Sequence, residues 1–193
     1  EAMLIYFLSG GNVLYFAILM PIISILGMFL IKLSPYRAKR LEAFLNVNQS
    51  IESSSYHVKQ ILIALGSGGI TGVGLGNSLQ KYAYLPETTT DSIFAIIAEE
   101  LGFVGATCII ILFIIIVWRG FNIASLAKDD FGKLLATGIT TFLAVQTIIN
   151  LGALVSLFPL TGIPLPFISY GGSALIIDLC SIGILLNISK NSS

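Results

Sequence analysis

The chain has 193 residues, 55% hydrophobic and 10% charged, with ten Lys and Arg balancing ten Asp and Glu. Soluble domains carry about 25% charged residues, so an ordinary soluble domain is excluded. The neutral balance argues against a nucleic-acid-binding surface, and one histidine with two cysteines leaves almost no ligands for a zinc site.

The chain opens without a charged n-region or a small-residue cleavage site, so it reads as the interior of a longer protein. A hydrocarbon core of about 30 Å needs roughly 20 apolar residues as helix. Residues 13–31 supply a first span, with Pro21 inside it as an expected kink that neighbouring helices accommodate. Residues 2–8 are too short to cross alone and read as the end of a preceding span. A long polar region, about 32–100, follows, with Arg37, Lys39 and Arg40 clustered near its start. Its glycine-dense segment 66–76 fits neither G-x-G-x-x-G nor G-x-x-x-x-G-K-[ST], so it is no phosphate cradle of those kinds. Gly68, Gly72 and Gly76 recur every four residues, which suits close helix packing; an apolar loop dipping into the interface suits them equally. A second span is expected over 101–118, closed by Trp118 and Arg119 as interfacial anchors.

A polar turn is expected over 121–133. No residue is charged from 134 to 177, and Pro159, Pro164 and Pro166 divide that stretch into a helix over 134–157 and a last span over 172–188. Cys108 and Cys180 lie inside apolar runs and read as buried small thiols. The fold class is therefore all-α, a polytopic membrane helix bundle with four full spans and part of a fifth. Six positive residues fall on the long-loop side and four on the other. Loops beyond about 60 residues escape the positive-inside rule, so charge does not orient the bundle.

Four of the ten acidic residues, Glu87, Asp91, Glu99 and Glu100, fall within 82–105, where the polar region meets the second span. Asp91 precedes an apolar helical pattern (Ile93, Phe94, Ile96, Ile97, Leu101). It has two readings there: a helix cap whose oxygen takes a free backbone N–H, or a reactive carboxylate at the membrane boundary. Glu87 either orients Asp91 or a substrate sugar, or is an exposed loop acid. One of Glu99 and Glu100 is expected to be solvated at the interface. Gln146 and Asn150, four apart, share a helix face and suit interhelical hydrogen bonds or the lining of a lipid channel. Asp178 sits in the last span and needs a proton, a partner on another helix, or a watery cavity.

Two long motifs resemble a known family. The first runs Ala64-Leu65-Gly66-Ser67-Gly68-Gly69, Gly72-Val73-Gly74-Leu75-Gly76-Asn77-Ser78-Leu79-Gln80-Lys81, Tyr84-Leu85-Pro86-Glu87, Thr90-Asp91, Phe94-Ala95 and Ala98-Glu99-Glu100-Leu101-Gly102. The second is Thr161-Gly162-Ile163-Pro164-Leu165-Pro166-Phe167-Ile168-Ser169-Tyr170-Gly171-Gly172-Ser173. They are similar to the SEDS (shape, elongation, division and sporulation) proteins of bacteria, with Gly74 to Lys81 nearest the cell-division branch. The likeness covers essentially the whole chain but only the C-terminal half of a ten-span family fold.

It implies a peptidoglycan glycosyltransferase acting on lipid II in the cytoplasmic (inner) membrane at the division septum. It also implies an outward-facing long loop and an essential carboxylate at Asp91. The implied partners are lipid II, a class B penicillin-binding transpeptidase, other division proteins and membrane lipid. The sequence departs from the family's usual pattern at Thr89, where His is frequent, and at Ser92, where Phe is common.

The implied reaction joins the 4-hydroxyl of one disaccharide to the anomeric carbon of another and expels a lipid pyrophosphate. Its leaving group is good, so one carboxylate base suffices, unlike the pair in a glycosidase. Lys81, Arg37 and Arg40 are the candidate cations for the pyrophosphate, with Glu87 and Ser169 as further substrate contacts. Residues 169–172 shape a re-entrant turn beside the active cavity or serve packing alone. No cofactor is called for by the residues, and a divalent cation stays open. Two other classes remain: a lipid II flippase, for which broken helices and midplane polar groups are the marks, and a non-catalytic division scaffold.

Overall fold

In the computed structural model, which describes residues 5–6, 12–34, 53–78, 91–160 and 162–192, every regular element is a helix. The helices in chain order are α1 (Val13–Leu33), α2 (Ser53–Ser67), α3 (Ile93–Leu126), α4 (Asp130–Leu154) and α5 (Gly172–Ser192). Three of them, α3, α4 and α5, are long and apolar enough to cross a membrane. Within α1 the apolar stretch is Ala17–Leu30, and none of its described side chains joins the buried core.

α2 stands inside the region expected to be a polar loop. Its sequence is polar at the start, but Val58, Ile61 and Ala64 fall on one helical face and are buried against α3. That short stripe is diluted by the polar residues Ser53 to His57 before it and by Lys59 and Gln60 within it, and a window long enough to find spans misses it.

Beyond Ser67 the chain leaves the helix, so the glycine repeat does not pack helix against helix. Instead the turn at 68–74 lies backbone to backbone along the start of α3. Val73 and Gly74 donate to the carbonyls of Glu99 and Glu100, both at 3.0 Å. Phe103 and Val104 donate back to Gly69 and Ile70, at 2.9 and 3.2 Å. The exchange is open to α3 because Gly102 breaks its ladder with φ 69 and ψ −167, a region essentially closed to other residues. A Cβ on Gly102 would strike the backbone of Gly72, and one on Gly72 would strike that of Glu100.

The expected span start at Leu101 thus falls beside a kink inside α3, and the helix itself begins at Ile93. At its other end α3 runs past Arg119 to Leu126, and the turn shrinks to Ala127–Asp129. Asp129 opens α4, its carboxylate accepting from the Gly132 amide at 2.7 Å. Lipid tails are as apolar as Leu, so close packing rather than water exclusion joins the spans. Gly120 supplies it where α3 meets α4, since a Cβ there would collide with Thr140. Cys108 and Cys180 are exposed on the protein surface rather than buried.

One core cluster joins Ile61 and Ala64 of α2, Phe94 to Ile96 and Phe113 of α3, Leu154 of α4 and Leu165 of the following turn. It builds the end of the bundle that carries Asp91. A smaller one, around Ala124, Ala136 and Leu185, holds the opposite end.

Candidate active site

Asp91 lies one residue before the N-cap of α3 and is 7% exposed. The N-cap position falls on Ser92, whose side chain makes no cap hydrogen bond. The N-cap position thus falls on Ser92 and not on Asp91, and the Ser92 hydroxyl is turned elsewhere. It lies 3.1 Å from Nε2 of His57 on α2 and donates to Oδ1 of Asp91 at 3.5 Å.

The backbone of Asp91 is held from α4. Asn150 Nδ2 donates to the Asp91 carbonyl at 3.0 Å and to the Ile163 carbonyl at 2.8 Å. One turn earlier, Gln146 Nε2 donates to the Pro164 carbonyl at 2.9 Å. An amide side chain brings two N–H donors, and a non-helical segment among apolar helices has carbonyls that only protein can satisfy. Gln146 and Asn150 were expected to bond helix to helix or to line a lipid channel. Their amides donate to carbonyls of irregular backbone, and so tie the start of α3 to the proline-rich turn.

That turn is braced twice more. Ser169 Oγ accepts from the Leu165 amide at 2.8 Å while the Ser169 amide donates to the Leu165 carbonyl at 3.0 Å. Phe167 has φ 63, unusual for a residue with a side chain, and its amide donates to Oδ2 of Asp178 at 3.2 Å. Asp178, 3% exposed on α5, therefore has a partner in the turn rather than on another helix.

Glu99 is also buried, so the solvated acid expected of the pair Glu99 and Glu100 is not Glu99. The hydroxyls of Ser67 (3.3 Å) and Ser78 donate to its two oxygens, which closes the far side of the glycine turn. Glu100 is half-buried. Sequence reasoning missed Ser78, and it passed over His57 and the link of Ser92 to it. The one signal for His57 was its place on the polar start of an otherwise apolar stripe.

Of the sequence-derived site residues, the structure describes Asp91 and Ser169. Lys81, Glu87, Arg37 and Arg40 lie outside the described residues. No group of three or more His, Cys, Asp or Glu side chains is gathered to hold a metal ion among the described residues. A cavity of about 670 Å³ opens between α4 and α5, lined by Lys128, Asp129, Asn187 and Asn191 among others, and no residue of the Asp91 network borders it.

Long apolar helices around a buried, hydrogen-bonded polar cluster define a multi-pass membrane protein with that cluster at one end of its bundle. Over residues 1–193 the chain matches the family model of FtsW, RodA and SpoVE, described as cell cycle protein. It is 46% identical over 187 residues to stage V sporulation protein E of Bacillus subtilis, covering 96% of this chain and 51% of that protein. It is 45% identical over 186 residues to a probable peptidoglycan glycosyltransferase FtsW of Trichlorobacter lovleyi, covering 96% and 46%. Its fold matches a chain of a solved peptidoglycan synthase complex at TM-score 0.70 and 24% identity, covering 97% and 52%. The chain belongs to the FtsW/RodA/SpoVE family, the SEDS proteins, and is a protein of the bacterial inner membrane. It spans about half the length of the curated relatives it matches.

Proposed function

We infer that this chain is the C-terminal part of a peptidoglycan glycosyltransferase that polymerises lipid II during cell division, with Asp91 as general base. The observation that carries the reading is the setting of Asp91. A buried carboxylate at one end of an apolar bundle has its own backbone fixed by Asn150 to a turn that α4 and α5 both brace. A base held in one place contributes about 10²- to 10⁴-fold to a proton transfer.

In this reading Asp91 takes the proton of the 4-hydroxyl as its oxygen attacks the anomeric carbon. The bond to the pyrophosphate breaks, and undecaprenyl pyrophosphate leaves with the electron pair. Lys81, Arg37 and Arg40 neutralise the pyrophosphate, and Glu87 orients the sugar. Ser169 uses its hydroxyl oxygen within the turn and keeps its proton to donate to substrate. The Asp91 end faces outward from the cell, α1 serves as a fourth span, and the residues before it end a fifth. A class B penicillin-binding transpeptidase cross-links the product at the septum, alongside other division proteins.

The test is the full-length protein with its transpeptidase in proteoliposomes fed labelled lipid II. A ladder of glycan polymers is expected. Lipid movement across the bilayer without polymer would make the protein a flippase, and neither activity would leave a scaffold.

A further inference from the structure

The chain has one histidine, and it stands one hydroxyl away from the proposed base. His57 is half-buried on α2 and Ser92 is fully buried at the start of α3. The contact bridges 35 residues of sequence, and Val58 and Ile61 beside it are locked into the interface of those helices.

We propose that His57 and Ser92 are positioning residues forming a proton relay that empties Asp91 after each transfer. The idea rests on the general-base reading of Asp91. The 4-hydroxyl proton passes to the Asp91 carboxylate. Asp91 gives it to the Ser92 oxygen as Ser92 hands its own proton to Nε2 of neutral His57, which becomes imidazolium; its Nδ1 is buried, so the half-buried ring turns away from Ser92 to shed the Nε2 proton to water. No electron changes hands and each bond broken has one formed. The 3.5 Å link is at the outer limit of a hydrogen bond, and such contacts commonly tighten when substrate binds.

The other ionisable groups on the packed elements are Tyr56 and Lys59 on α2, and Glu99, Glu100, Cys108 and Arg119 on α3. α4 carries Asp130 and Lys133, and α5 carries Asp178, Cys180 and Lys190. Toward Asp91 itself α4 presents Asn150, which does not titrate. The relay needs the imidazole neutral, and a protonated ring cannot accept at Nε2. Turnover should therefore fall as the pH is lowered.

The test is the pH dependence of glycan polymerisation by the full-length protein with its transpeptidase. His57→Gln keeps a hydrogen-bonding group without the titration. It should lower kcat about 10- to 100-fold, leave KM for lipid II unchanged and lose the low-pH limb. Ser92→Ala should do the same and Ser92→Thr should restore the wild-type profile. A His57→Gln enzyme with wild-type kcat and limb, or a loss traced wholly to less folded protein, overturns the relay. Asp91→Asn run alongside separates the two claims. If it still polymerises, the general-base reading fails; if it is dead while His57→Gln is unchanged, only the relay fails.

Discussion

A carboxylate inside an apolar bundle is costly unless donors meet its oxygens, and the buried acids among the described residues have them, Asp91 from Ser92. Glu99 is met by Ser67 and Ser78, and Asp178 by the Phe167 amide. Asp178→Asn retains an oxygen for that amide, whereas Asp178→Leu strands it. The Leu variant should be less stable by about 1 to 3 kcal/mol and the Asn variant by less than half of that, read as apparent thermal midpoints in detergent. Gln146, Asn150 and Asp178 stand out in the sequence because polar residues are rare in apolar runs, and Asp91 because it falls in the acidic cluster before one. Their pairings do not, because Asn150 meets Asp91 across 59 residues and a proline-rich turn has no periodicity to read.

At the scale of elements, α3 depends on one residue that is not helical. Gly102 alone permits the kink that lets α3 trade hydrogen bonds with the glycine turn. Gly102→Ala should cost upward of about 1 to 3 kcal/mol for the conformation alone, with the backbone clash added. The apparent midpoint should drop by roughly 5 to 10 °C; an unchanged midpoint would mean that the kink is not required. The long apolar helices were legible from hydropathy because a span must be about 20 residues long. α2 was not, since its buried face is three residues within a polar neighbourhood. The glycine repeat misled for a similar reason: spacing by four marks close approach, but not whether the neighbour is a helix or bare backbone.

For the whole molecule, composition placed the chain in a membrane, and two motifs placed it in its family. Neither orients it, because the charge count is indecisive. With Cys108 and Cys180 changed to Ser, a cysteine at Tyr170, which is 79% exposed, should react with a membrane-impermeant maleimide applied outside intact spheroplasts. One at Lys128, on the turn before α4, should react only after lysis. The reverse pattern would turn the Asp91 end toward the cytoplasm, away from the glycan. The reaction itself hangs on whether a sugar alcohol loses its proton to a single fixed carboxylate. The direct measurement is glycan polymerisation from lipid II by the full-length Asp91→Asn protein with its transpeptidase, at a matched amount of folded, partner-bound enzyme. The account predicts a loss of at least about 10²-fold; polymer made at the wild-type rate would contradict it.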